Sequence, residues 1–151
     1  MQELEAQGRV GASAAEVFSI VADVESWPQI LRSVESIRLL TGRPVGNGVR
    51  LSEARIIFGE LRRHEMEIVE FQAPRRLRLR VDDPDINFQL DHIVDAVSGM
   101  GTQLTLMFRT RLTSLAERAA HPFLRPALFP VVQRELERDV ADLLGAVREQ
   151  R

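Results

Sequence analysis

Between Val34 and Leu112 apolar and polar side chains alternate with a period of two, and turn-forming residues interrupt the alternation at Gly42 to Gly48, Gly59-Glu60, Gln72 to Arg75, Asp82 to Asp85 and Ser98 to Gly101. A period of two sends successive side chains to opposite faces of a sheet, so this stretch reads as six strands in a meander. The alternation is clearest in Arg76-Leu77-Arg78-Leu79-Arg80-Val81. Ile86, Phe88, Leu90, His92 and Val94 share one face of the next strand, and Leu104, Leu106, Phe108 and Leu112 one face of the last. A sheet with one apolar face has to be covered. The cover is encoded further on, where Leu128, Val132, Leu136, Val140, Leu143 and Val147 recur at helical spacing and mark the apolar stripe of a long helix ending near Val147. A linker holding Pro122, Pro126 and Pro130 leads into it.

Ahead of the meander, Gln2 to Val10 suits a strand, and Ser13-Ala14-Ala15-Glu16 has the form of a capping box that satisfies the first free amides of a helix. That helix is expected to run to about Glu25, with Val17, Ile20, Val21 and Val24 on its buried face. Pro28 suits the first turn of a second, short helix and disfavours helical geometry at Trp27, so a bend is expected there. The chain's only tryptophan therefore stands at a corner, either as a core anchor for the bend or as an aromatic wall at a cavity mouth.

Pairing has to bring apolar positions to the same face of neighbouring strands, which fixes a register by parity. A turn between Phe71 and Arg76 sets Ile68 opposite Leu79 and, on the other face, Glu67 opposite Arg80. A turn between Val81 and Ile86 sets Leu79 opposite Phe88 and Arg76 opposite Asp91. The outer face then carries a ladder of opposite charges, each pair contributing ~0.2–1 kcal/mol, and its arginines read as a solvated surface.

The length of 151 residues suits one domain spanning 1–151. No apolar run marks a secretory signal or membrane span, so a cytoplasmic protein is expected, and a net charge of −2 gives no electrostatic reason to seek nucleic acid. The chain has no cysteine, tyrosine or lysine, so all 20 basic residues are arginine. Thiolate nucleophiles, Schiff bases, tyrosine acids, disulfides and thiolate zinc sites are thereby excluded. Histidine, carboxylate, hydroxyl and guanidinium groups remain for chemistry, and the histidines are His64, His92 and His121.

By parity His64 and His92 point inward among Met66, Ile68, Leu90 and Val94, as core histidines or as groups able to orient a ligand carbonyl or act as general base. One strand separates theirs, placing the backbones roughly 10 Å apart; with no third ligand in view, no metal site is expected. The strand from Val49 to Phe58 admits two registers. If Gly59-Glu60 is a two-residue turn, Glu53, Arg55 and Ile57 share the face of His64, with Arg55 opposite it. If the loop is one residue longer, Ser52, Ala54, Ile56 and Phe58 face inward and build an apolar wall. Asp82-Asp83-Pro84-Asp85 lacks the spacing and glycine of a calcium loop and reads as a solvated turn. His121 has no evident partner, and Ser13 and Ser114 read as helix caps.

Strand, two short helices, six antiparallel strands and a long closing helix resemble the START-like helix-grip superfamily, also called SRPBCC, which includes polyketide cyclases and lipid-binding proteins. Ser13 to Leu31, SAAEVFSIVADVESWPQIL, is similar to its opening segment with a Trp-Pro corner, and Glu70 to Leu77, EFQAPRRL, to its strand connection ending in Pro-Arg-Arg-Leu. The resemblance covers essentially the whole chain. It implies an α+β fold in which a curved seven-stranded antiparallel sheet grips the last helix around an elongated cavity for hydrophobic small molecules. Combined with the strand faces, helix stripe and corner read above, the expected ligand-binding positions are Trp27, Arg55, His64, Met66, Phe88, Leu90, His92, Leu106, Phe108, Leu128, Val132 and Leu136. The expected role is carrier or sensor of a lipid, quinone or polyketide, without cofactor, by a monomer or weak homodimer. The alternative is a cyclase or dehydratase using His64 or His92 in acid–base chemistry, although the cavity tyrosines of many cyclases are missing here.

Overall fold

The computed structural model describes residues 2–57, 59–82, 87–99, 101–110 and 129–150. Strand β1 (Gln2–Val10) leads into helix α1 (Ala14–Ala22), a single 3-10 turn (Val24–Ser26) and the short helix α2 (Trp27–Ile30). Strands β2 (Val34–Leu39), β3 (Arg50–Ile57), β4 (Glu60–Gln72), β5 (Arg76–Asp82), β6 (Asn87–Ala96) and β7 (Thr102–Thr110) follow, and helix α3 (Phe129–Glu149) closes the chain. All strands join one seven-stranded antiparallel sheet in the order β1-β7-β6-β5-β4-β3-β2. The meander is thus complete, and β1 pairs with its far edge. Phe58, Asp83 to Ile86, Leu112, Ser114, His121, Pro122, Pro126 and Leu128 lie outside the described residues.

The capping box forms as expected: the Glu16 amide donates to Ser13 Oγ at 3.1 Å and the Ser13 amide to Glu16 Oε1 at 3.4 Å. Helix α1 stops at Ala22, earlier than its apolar spacing suggests, because Asp23 leaves helical geometry at φ −81°, ψ 67°. Trp27 is itself helical, at φ −53° and ψ −37°, contrary to the expectation from Pro28. Proline's bias against helix at the preceding residue is outweighed by the tertiary fixing of Trp27, which is 1% exposed and donates from Nε1 to the Val21 carbonyl at 3.1 Å. The chain turns at Asp23 instead.

Register confirms one parity argument fully and shifts two others. Ile68 faces Leu79 and Glu67 faces Arg80, as expected, with a bulge before Glu70. Between β5 and β6 the pairing is displaced: Leu79 faces Leu90, Val81 faces Phe88, and Arg78 rather than Arg76 faces Asp91. Between β3 and β4, Ile57 pairs with Glu60, so Arg55 faces Arg62 and Glu53 faces His64. Each displacement moves the turn by one residue on both strands, which leaves every side chain on its original face. Hence Glu53, Arg55 and Ile57 do point to the side of His64, while the alternative set Ser52, Ala54 and Ile56 does not. The outer charge ladder is present, with Arg80–Glu67 at 4.0 Å, Arg78–Glu70 at 3.4 Å and Arg78–Asp91 at 2.8 Å.

Helix α3 lays Val132, Leu136, Val140, Leu143 and Val147, with Leu144, against the inner sheet face in one buried cluster that includes Leu77, Leu79, Leu104 and Leu106. Burying such side chains contributes ~1.5–3 kcal/mol each. Its second half packs tightly on β1. A Cβ on Gly8 would lie 2.8 Å from Leu144 Cδ1 and 3.0 Å from Val140 Cγ1, so glycine permits the close approach. Gln133 Nε2 donates to the Glu5 carbonyl at 2.7 Å and Arg148 to the Arg9 carbonyl at 3.2 Å, which fixes the helix along that strand. No helix among the described residues is long and apolar enough to cross a membrane.

Candidate functional site

Where the first half of α3 crosses β3, β4, β6 and β7, helix and sheet line a partly open cavity of about 80 Å³. The strands contribute Glu53, Arg55, Ile57, His64, Met66, Phe88, Leu90 and Phe108; the helix contributes Val131, Val132, Glu135, Leu136 and Asp139. The helical residues recur at steps of three and four and so share one face. An aromatic wall forms as His64 meets Phe88 edge to face at 5.6 Å and Phe88 meets Phe108 at 5.2 Å.

At one side of this apolar space stands a buried ionic cluster centred on Arg55. Its Nη1 donates to Asp139 Oδ2 at 2.8 Å, and its Nε and Nη2 donate to the two carboxylate oxygens of Glu53 at 3.1 and 3.4 Å. Glu135 lies 3.9 Å away and accepts from Ser33 Oγ at 2.8 Å. The side chains of Arg55, Glu53 and Asp139 are 11%, 7% and 5% exposed, so the guanidinium ties β3 to α3 with little help from water. Burial alone would lower the Arg55 pKa, but Glu53 and Asp139 outweigh it and hold the group firmly cationic. Burial pushes the Asp139 carboxyl up from 3.8 to about 6, and the attraction of Arg55 only partly reverses this.

The sequence-derived positions divide into two groups. Arg55, His64, Met66, Phe88, Leu90, Phe108, Val132 and Leu136 are brought together around the cavity. Trp27, His92 and Leu106 are buried but stand apart from its lining. The Trp27 ring packs on His92 at 5.5 Å, behind the wall. Desolvation lowers the His92 pKa from 6.5 to about 4, against the opposing pull of a hydrogen bond to the Leu77 backbone, so the imidazole is neutral. Asp139 and Glu135 are absent from the sequence-derived set. Their signal lies in the helix itself: Asp139 follows Leu136 by three and precedes Val140, which places an acid within the apolar stripe. No three histidine, cysteine or acidic side chains among the described residues are grouped to hold a metal ion.

Comparison with known proteins gives a consistent architecture. The sequence model of the family described as "Polyketide cyclase / dehydrase and lipid transport" matches residues 1–143. The crystal structure of the Zhui aromatase/cyclase from Streptomyces sp. R1128 superposes with a TM-score of 0.81 at 21% identity, covering 99% of this chain and 94% of that one. A START superfamily protein from Mycobacterium smegmatis gives 0.80 at 17% identity and TTHA0849 from Thermus thermophilus gives 0.80 at 20%, each covering 99% of both chains. At these identities the likeness establishes the helix-grip fold and nothing finer. A comparison with curated protein sequences found no match.

Proposed function

The chain belongs to the polyketide cyclase/dehydrase and lipid-transport family, and on that footing we propose that it binds a hydrophobic small molecule between α3 and the sheet. The observation that carries this reading is the space between helix and sheet itself, with apolar walls from Met66, Phe88, Leu90, Phe108, Val132 and Leu136 and one polar corner at Arg55. Apolar walls supply the driving force, at ~25 cal/mol per Å² buried, and a few polar groups orient the guest. At about 80 Å³ the cavity accepts a head group or short tail as it stands. A ligand of lipid, quinone or polyketide size enters with outward displacement of wall side chains, for which the flexible Met66 thioether is suited. In this reading the protein is a cytoplasmic carrier or sensor, monomeric or weakly dimeric, working without cofactor or nucleic acid. Native mass spectrometry of freshly purified protein tests it: an adduct of a few hundred daltons, lost in organic solvent, is expected, and repeated unliganded spectra after incubation with lipids, quinones and polyketides contradict it.

A second reading, a cyclase or dehydratase, is favoured by one feature: His64 lines the cavity and meets its aromatic wall edge to face. An imidazole in that position is placed to serve as general base toward a bound carbonyl compound. Turnover of polyketide substrates lost in His64→Ala supports this reading, and absence of turnover by the wild-type protein removes it. His92→Ala distinguishes the two histidines, because His92 is walled off behind Trp27 and its loss acts through folding.

A further inference from the structure

The acids around Arg55 are unequally used. Glu53 places both carboxylate oxygens on the guanidinium, and Glu135 holds Ser33 Oγ on one oxygen and Arg138 at 3.5 Å on the other. Asp139 gives Oδ2 to Arg55, while its Oδ1, buried in the cavity lining, has no hydrogen-bond partner among the described residues. A buried acceptor left open in an apolar space favours the arrival of a donor. The charges facing the space point the same way. Glu53 of β3 and Glu135 and Asp139 of α3 are set against Arg55 and, at the rim, Arg138, with His64 of β4 the remaining titratable group in the lining. The three carboxylates thus carry one negative charge more than the two guanidiniums, and Asp139 Oδ1 is the buried oxygen among them without a hydrogen bond.

We propose that Asp139 Oδ1 is the docking point for a ligand whose polar end donates a hydrogen bond, a hydroxyl or an ammonium group, and that the site rejects ligands ending in a carboxylate. This rests on the cavity-binding reading above and narrows it to a ligand class. An ammonium or hydroxyl at Oδ1 completes the hydrogen bonding of the carboxylate, and an ammonium also balances the leftover charge. An incoming carboxylate meets Glu53, Glu135 and Asp139 across an apolar-walled space and finds Arg55 already engaged by Glu53 and Asp139.

Titration calorimetry at pH 7.5 with octan-1-ol, octylamine and octanoate, three guests with the same apolar tail, tests the assignment. Octan-1-ol and octylamine are expected to bind at least tenfold more tightly than octanoate. In Asp139→Asn octylamine should weaken tenfold or more relative to octan-1-ol, and the penalty on octanoate should shrink. Octanoate binding as tightly as octan-1-ol, or head-group ratios unchanged in Asp139→Asn, overturns the role of Asp139 while leaving the cavity reading standing. Binding of none of the three overturns the cavity reading, and this proposal with it. Should Asp139→Asn not fold, the wild-type ranking of the three head groups decides alone.

Discussion

The neutral, buried His92 makes a thermodynamic demand on the fold. Its pKa falls from 6.5 to about 4, first because burial disfavours the cation, with Arg55 adding to the depression and the Leu77 backbone and Asp91 opposing it. Between those values the unfolded chain binds a proton that the folded chain refuses, so stability decreases as pH falls through this window. A shift of about 2.5 units at 1.36 kcal/mol each amounts to about 3 kcal/mol lost by pH 4. Asp139 acts with the opposite sign: its folded pKa of about 6 lies above 3.8, so the folded state holds the extra proton and gains stability as pH falls from 6 to 4. The two contributions mask each other in the wild-type curve, and variants separate them. Urea unfolding measured from pH 7 to pH 4 should show Asp139→Asn losing about 2 kcal/mol more than the wild type over that range, and His92→Leu losing about 3 kcal/mol less. Glu53, Arg55, Glu135 and His64 face this region and stay unchanged in both variants. A His92→Leu curve parallel to the wild type, or an imidazole resonance of His92 titrating near 6.5, refutes the reasoning.

Removing the guanidinium tests the ionic cluster from the other side. Arg55→Met leaves Glu53 and Asp139 as buried, uncompensated carboxylates and should cost ~3–5 kcal/mol in urea unfolding at pH 7; a cost under ~1 kcal/mol means that the cluster is solvated. Gly8→Ala puts a methyl group 2.8 Å from Leu144 Cδ1, so a loss of ~1–3 kcal/mol is expected from displacing the buried Leu144 and Val140 side chains, and an unchanged midpoint contradicts it.

Much of the architecture was legible because its determinants are local. Alternation along Arg76 to Val81 and the four-and-three spacing from Val132 to Val147 state directly which faces are buried, and parity carries those faces across the sheet without knowledge of loop lengths. Exact partners depend on where each hairpin turns, and there the sequence misleads: Gly59 takes φ +74° as a turn glycine, but Ile57, not Phe58, closes the strand pair. The site was less legible for two reasons. His92 and Leu106 share the apolar side with His64 and Leu90, yet whether an inward residue meets the cavity or solid core is decided by what packs over it, and Trp27 packs over His92. Asp139 stays hidden when a helix is read through its apolar positions alone, although a charge on the buried face is the more informative residue.

The claim on which the rest depends is that a guest enters between α3 and the inner sheet face, and methyl-labelled NMR titration with octan-1-ol tests it most directly. Saturable shifts are predicted at Met66, Leu90, Val132 and Leu136, with Leu40, Ile56 and Leu61, exposed large apolar residues among those described, unmoved. Shifts confined to Ile56 and Leu61, or none at the cavity methyls up to the solubility limit of the alcohol, contradict it.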